Sequence, residues 1–361
     1  MKIKTILVSM LAVAVLASCN KTDVGHKKGS LEVSLPGAPV TMGVEDPQTA
    51  GGITPLYNDV TVYLVNGTTA TAAVWSDAEI AARKKEFEQI VKPTQVIVIA
   101  NKGNVTLPTG TGPLSAVATA MEALTIANQN KATANVATLD AKGNAAGDYI
   151  SVQQVTLYGT TSTITDITDW DSHDAWGATV TLKALVSRFE IGTVKAGTGL
   201  TALNVEDVYI NYFHTTYKKD VDQAFTNTTW PTTFTPAWAT IAANTGVTST
   251  TGTKCYAFQV FETQVPHIIF KVGGTVATGY SLTDGTTGSF SGKYITIRSF
   301  KDGSTTISAI EAHKIYKVGL TGGGIEVTPG IITPDPETPK YDLAVDVKVA
   351  DWSVTNLTPV L

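Results

Sequence analysis

Catalysis needs nucleophiles, acids and bases gathered in one place, and metal sites need ligands at recognisable spacing. This sequence offers little of either. Its histidines are His26, His173, His214, His267 and His313. None stands at metal-ligand spacing from another, and no cysteine pair is present for zinc. No glycine-rich phosphate loop follows a strand, and there is no nucleophile elbow. Asp166, Asp169, Asp171 and Asp174 gather around Trp170 and His173. Oxygen-rich loops of that kind can hold Ca²⁺, but the EF-hand spacing is missing, so this one reads as a solvated loop. It also lacks a serine or cysteine at a spacing that would complete a triad. Trp170, Trp176, Trp230 and Trp238 could stack on sugars, although tryptophan in β domains is more often partly buried core. The chain is therefore read as a non-enzyme, with no cofactor and no metal.

The residue whose chemistry is best specified is Cys19. Lys2 and Lys4 form a short basic start, Ile6 to Ala17 is apolar, and Leu16-Ala17-Ser18-Cys19 closes the run with small residues before the cysteine. This is the layout of a bacterial lipoprotein signal, in which the cysteine becomes the acylated N-terminus. The apolar run falls short of the ~20 residues a bilayer-spanning helix requires. Each acyl chain on Cys19 would add roughly 0.8 kcal/mol of membrane affinity per buried CH₂. The expected location is an outer-membrane lipoprotein precursor, then the cell surface.

With Cys19 committed to lipid, Cys255 is the one remaining cysteine. The fold then needs no intrachain disulfide, and Cys255 reads as a small buried hydrophobe. A net charge of −5 gives no basic footprint for nucleic acid. Threonine and valine are abundant, and both favour strands.

The elements follow from periodicity. Asn20 to Ser30 is a polar, basic tether. Leu31–Leu35 alternates as a half-buried strand, and the Pro- and Gly-rich stretch Pro36–Leu56 reads as a loop. Val60–Val65 is a strand that stops at Asn66-Gly67. Ser76-Asp77-Ala78-Glu79 has the form of a capping box, and Ile80, Phe87 and Val91 behind it suggest a helix running to about Lys92. Val96–Ala100 is a continuous apolar run, suited to a strand covered on both faces. Pro113 and the spacing of Leu114, Val117, Met121 and Leu124 mark a second helix.

Strands dominate from Tyr149 onward, at Val152–Tyr158, Thr179–Ile191, Val205–Phe213, Tyr256–Phe261, His267–Val272, Tyr294–Ile297 and Ile315–Leu320. Many strands with few helices argue for sandwiches. Gly322 to Lys340, rich in Gly and Pro, reads as an extended linker that does not pack regularly. Beyond it Leu343, Val345, Val347 and Val349 alternate strictly, and Trp352 and Val354 continue the apolar pattern. A terminus this apolar must be buried, either as the last strand of its own domain or in another subunit.

Several of these segments together resemble the FimA family of major fimbrial subunits, the type V pilins of Bacteroidales. They are the lipobox ending at Cys19; Ser30–Leu35; the loop with Gly43-Val44-Glu45-Asp46; Asn58–Gly67; Gln95–Gly103; Leu185–Ile191; His313–Val318; and the closing Val349–Val354. Order and spacing carry the resemblance, since no single motif is specific. It implies a mainly β chain of two transthyretin-like β-sandwich domains in tandem, with a few short helices in the first. The expected organisation is a signal at 1–19, a tether at 20–30, an N-terminal sandwich at 31–177, a C-terminal sandwich at 178–321, a linker at 322–340 and a donor strand at 341–361.

The family also implies a polymerisation mechanism. A trypsin-like processing protease cuts after a basic residue following the first strand. That strand leaves, and the C-terminal strand of a neighbouring subunit enters the groove. The expected partners are other copies of the chain, other fimbrial subunits, the protease, and the outer membrane through lipid on Cys19. The donor residues would be Leu343, Val345, Val347, Val349, Trp352 and Val354. The processing region would be Met42 and Gly43, yet Met42 stands where the family has a basic residue. No Lys or Arg occurs between Lys28 and Arg83. Either another protease specificity is used, or the subunit is never opened and serves as a fimbrial anchor. A surface glycan-binding lipoprotein is the alternative from a different class.

Overall fold

The computed structural model describes residues 29–35, 57–129, 155–167, 175–191, 194–217, 222–223, 256–302, 304–319, 324–336 and 343–351. The chain is mainly β and is built from facing sheets, as the strand-rich sequence leads one to expect.

In the first half, β1 (Gly29–Ser34) alternates as its sequence predicts: Leu31 and Val33 are fully buried, and Glu32 and Ser34 are half-exposed. β2 (Val60–Asn66) and β3 (Thr69–Val74) form a hairpin around Gly67. Gly67 holds φ +60, a left-handed conformation that costs glycine nothing. Then come α1 (Asp77–Ala82), β4 (Lys84–Ile90), β5 (Gln95–Ala100) and β6 (Thr111–Pro113). They are followed by α2 (Leu114–Glu122), α3 (Ile126–Gln129), β7 (Leu157–Thr161), β8 (Thr165–Ile167), β9 (Ala175–Thr179) and β10 (Lys183–Ala184).

Two sheets result, ordered β4-β1-β9-β8 and β10-β7-β5-β2-β3-β6. β5 lies between β2 and β7 and is buried along Val96–Ala100, the doubly covered strand its apolar run predicts. Strand alternation sends Val96 and Val98 to one face and Ile97 and Ile99 to the other. On one side of this sheet lies α2, whose Val117 and Met121 are buried.

One expectation fails here. The capping box is present: Ser76 accepts from Glu79 N–H, and Glu79 Oε2 accepts from Ser76 N–H at 2.7 Å. The helix nevertheless stops at Ala82, because Arg83 turns left-handed at φ 55. The segment read as its continuation is the strand β4, antiparallel to β1. Leu31 and Phe87 are register partners there, and Phe87 packs against the core. Pairing with a buried strand outweighs helix propensity, which is a weak prior of tenths of a kcal/mol per residue.

The second half contains β11 (Val186–Ile191), β12 (Val194–Ala196), β13 (Leu200–Asn211), β14 (Phe213–His214), β15 (Asp222–Gln223), β16 (Tyr256–Phe261) and β17 (Thr263–Gln264). It continues with β18 (His267–Val276), β19 (Ser289–Asp302), β20 (Thr305–Thr306), β21 (Ala309–Ile310), β22 (Lys314–Val318), β23 (Ile325–Val327) and β24 (Leu343–Asp351). The long strand expected over Thr179–Ile191 is divided among β9, β10 and β11.

The principal strand order is β13-β18-β19-β24-β22-β11-β16. β24 joins two groups by changing partner halfway: residues 343–346 pair parallel with β19, and 347–351 pair antiparallel with β22. The two groups also meet through their side chains, since Phe189 of β11 lies 5.6 Å from the Phe300 ring of β19 and stacks on Tyr316 of β22 at 5.0 Å. A strand that passes from one sheet to another is how sandwich corners are closed.

The halves repeat one pairing scheme. β1 lies between β4 (antiparallel) and β9 (parallel), while β11 lies between β16 (antiparallel) and β22 (parallel). They touch where Thr125 bridges Thr216, where Ile126 N–H donates to Thr215 O, and where Tyr217 N–H donates to Leu124 O, the last two at 2.9 Å.

The Gly- and Pro-rich stretch read as a linker behaves differently over its described part. β23 pairs parallel with β12, a 3₁₀ turn spans Pro329–Ile331, and Thr333 exchanges backbone hydrogen bonds with Tyr294. Ile325, Val327 and Ile332 are buried. Glycine and proline remove local regularity, but they do not prevent widely spaced apolar side chains from anchoring a segment.

Candidate assembly site

β1 is an internal strand held on both edges. Its backbone is in register with Lys84–Ile90 on one side and with Ala175–Thr179 on the other. The pairing extends past its end, where Leu35 N–H donates to Arg83 O at 2.9 Å and Val180 N–H donates to Ser34 O at 3.1 Å. Leu31, Val33 and Leu35 face inward toward the apolar core. Burial of such side chains is worth roughly 1.5–3 kcal/mol each, so the three contribute a gross ~4–9 kcal/mol. Taking β1 out would leave two facing rows of unpaired backbone groups over an uncovered core, a template for another strand.

The outer side of this sheet is polar. Lys84 Nζ lies 3.1 Å from both the Glu32 and Glu86 carboxylates, Lys84 and Glu86 being exposed and Glu32 half-exposed. Lys85 bonds Glu79, half-buried. Burial pulls the Glu79 carboxyl upward, but hydrogen bonds from Lys85 and Ser76 outweigh it and hold the group below the usual carboxylate range. At the end of β1 the buried Arg83 guanidinium sits 5.1 Å from the Tyr57 ring centroid. Burial raises the Tyr57 phenol, and Arg83 partly offsets this.

The acidic loop contributes Asp166 alone to the described residues, and it pairs with Lys92 at 2.6 Å. Trp176, offered as a sugar platform, is instead buried in the sheet beside β1. No group of three or more His, Cys, Asp or Glu that could hold a metal occurs among the described residues. No helix there is long and apolar enough to cross a membrane.

Of the residues expected to form a donor strand, Leu343, Val345, Val347 and Val349 lie in β24, which in the single chain is paired inside its own half. Leu343 and Val345 pair with the parallel β19 and Val347 and Val349 with the antiparallel β22, so one strand meets both polarities in succession, whereas Leu31–Ser34 of β1 meet both at once. Cys19, Met42, Gly43, Cys255, Trp352 and Val354 lie outside the described residues, as do Trp170, Trp230 and Trp238. Periodicity could find β1, β24 and the β19 and β22 that flank β24, but not the strands that flank β1. β4 carried a misleading helical spacing, and nothing in the short Ala175–Thr179 run marked it as a parallel neighbour.

No protein-family model matches the sequence, and no curated protein matches it. Solved structures do resemble the fold. A fimbrilin (FimA) from Porphyromonas gingivalis is 14% identical, with 92% of this chain and 99% of that chain covered and a TM-score of 0.48. A candidate cell adhesion protein from Bacteroides eggerthii is 18% identical, with 92% and 98% covered and a TM-score of 0.47. The tip fimbrial protein Mfa3 from Porphyromonas gingivalis, with a C-terminal truncation, is 9% identical, with 90% and 100% covered and a TM-score of 0.40. At these values the likeness carries no functional argument.

Proposed function

We propose that this protein is a structural subunit of a cell-surface fimbrium, exported as a lipoprotein acylated on Cys19 and polymerised by strand exchange. In this reading the outer membrane receives the lipidated precursor, and a processing protease cuts near Met42 and Gly43. β1 then leaves, and the C-terminal strand of the next copy takes its place. The fibre so formed serves adhesion, and the chain has no enzymatic role.

The observation that carries the reading is the position of β1. It is internal, paired on both edges, and its apolar spacing at Leu31, Val33 and Leu35 recurs at Leu343, Val345, Val347 and Val349. An incoming strand of that alternation satisfies both ladders while filling pockets at every second residue. The donor must first leave its place between β19 and β22, so exchange trades one set of pairings for another. Assembly is then slow to start and, once complete, slow to reverse.

A second reading is favoured by one feature, the lack of Lys or Arg between Lys28 and Arg83. A subunit that keeps β1 and its lipid but still offers a C-terminal strand would suit the base of a fibre as an anchor. Mass spectrometry of the mature surface protein separates the two: a chain starting near Met42 or Gly43 fits the shaft, and a retained acylated Cys19 fits the anchor.

Strand exchange itself is tested by complementation. The chain is nicked after residue 42, and a synthetic peptide of residues 341–361 is offered to it. Release of the β1 fragment with stoichiometric capture of the peptide is expected. Retention of β1 at every peptide concentration would overturn the exchange mechanism.

A further inference from the structure

A cleft of about 1170 Å³ opens between α2 and the sheet beneath it. Ile97 and Met121 form a buried apolar floor, and Gln95, Glu122, Tyr158 and Tyr217 bring polar groups to it. The volume exceeds the ~300–1,000 Å³ of ordinary small-molecule pockets. Both halves of the chain contribute, because Tyr217 comes from the segment that pairs with the α2–α3 turn.

Tyr217 is held in place before any ligand arrives. Its N–H donates to Leu124 O at 2.9 Å, and its ring meets Phe261 edge-on at 5.6 Å. Neither its hydroxyl nor that of Tyr158 has a protein partner among the described residues, and both rings are half-buried. Burial pushes both phenols up, and for Tyr217 the charges of Glu262 and then Tyr158 add to the rise. Gln95, which lines the cleft, donates from Nε2 to Thr160 Oγ1 at 2.8 Å, and this bond does not use its amide oxygen.

We propose that this cleft binds a neutral oligosaccharide, with the Tyr158 and Tyr217 rings against the apolar faces of the sugar and Gln95 and Glu122 accepting from its hydroxyls. The lining chemistry selects this class. Among the described residues no Lys, Arg or His lines the cleft, and Glu122 repels anions, which favours a neutral glycan over a sulfated or uronic-acid one. An extended peptide gains affinity by adding to a free strand edge. Of the strands lining the cleft, β5 and β7 are paired on both sides, and the edge strand β6 offers only Thr111–Pro113, where Pro113 has no N–H to donate. Side chains must supply the recognition, and tyrosine offers an apolar body with a polar tip.

The test uses the full-length chain with maltotetraose, xylotetraose, chitotetraose and lacto-N-tetraose as probes. Tetragalacturonate serves as the anionic counterpart and trilysine as the cationic one. Binding is followed by saturation-transfer NMR and calorimetry. At least one neutral tetrasaccharide is expected to bind, with tetragalacturonate and trilysine weaker. Tyr158→Ala and Tyr217→Ala are each expected to weaken binding about tenfold, the equivalent of ~1.4 kcal/mol. Tyr158→Phe and Tyr217→Phe, which keep the ring and preserve the fold, should lose less. Failure of all four neutral probes, preference for trilysine, or binding indifferent to both tyrosines would overturn the proposal. None of these outcomes bears on strand exchange, which concerns β1 and β24.

Discussion

Leu31 and Trp176 are register partners in the parallel pairing of β1 with β9, and both are buried. The first described strand is thus built into its sheet by a residue far along the chain. Truncating Leu31→Ala removes a fully buried side chain and should cost about 2–5 kcal/mol. The neighbouring Glu32→Ala, on the solvated face, should stay within about 0.5 kcal/mol. Urea unfolding of both variants checks the pair, and equal small effects would mean that β1 contributes little to the core.

Release of β24 can be blocked covalently. Lys317 and Lys348 are Cα partners in the antiparallel pairing of β22 with β24. A Lys317→Cys, Lys348→Cys chain, oxidised to the disulfide, should stay monomeric, and reductant should restore polymerisation. Light scattering before and after reduction reads the result. Fibres growing from the oxidised form would show that β24 need not move.

Tyr63 supplies a pH signature. Its hydroxyl donates to Pro108 O at 2.9 Å, and burial raises its pKa from 10.0 to about 12. The folded state therefore holds this proton more tightly than the unfolded state. The associated stability is fully present below pH 10 and is lost as pH rises toward about 12. A Tyr63→Phe chain should lose about 0.5–1.5 kcal/mol at neutral pH and show a shallower alkaline decline. Denaturant midpoints measured across this pH range make the comparison.

The Ser76 cap should be worth about 1 kcal/mol, by the usual cost of replacing a serine cap with alanine. Ser76→Ala removes the acceptor for Glu79 N–H and one of the hydrogen bonds that lower the Glu79 carboxyl. Because that carboxyl titrates below its ordinary range, its contribution is present above the unfolded pKa and fades as pH falls through the folded one. Acid unfolding of Ser76→Ala should consequently be less steep than that of the parent chain.

Gly159 tests close packing of β7 on the chain that follows β9. A Cβ there would meet Val180 Cγ1 and Leu182 Cδ2, each at 2.9 Å, as well as the Thr181 carbonyl oxygen. Overpacking of this kind costs roughly 1–3 kcal/mol, so Gly159→Ala should lower the melting temperature. No change would mean that this contact is looser than its geometry.

Period-two alternation determined β1 and the C-terminal strand, the apolar run determined β5, and the capping box determined where α1 begins. Each is a local pattern: the side-chain period and the cap hydrogen bonds are set within a few residues. Tertiary structure decided the rest. Lys84–Ile90 became a strand because β1 was there to pair with it, although its spacing also suited a helix. Ile325, Val327 and Ile332 were drawn into the body despite their glycine- and proline-rich surroundings, because burial rewards single apolar side chains whatever the local regularity. The division of β24 between β19 and β22, and the joining of Tyr158 to Tyr217 in one cleft, depend on which distant segments meet. No periodicity within a single segment encodes that meeting; it is chosen by the complementarity of surfaces that exist only once the sheets have formed.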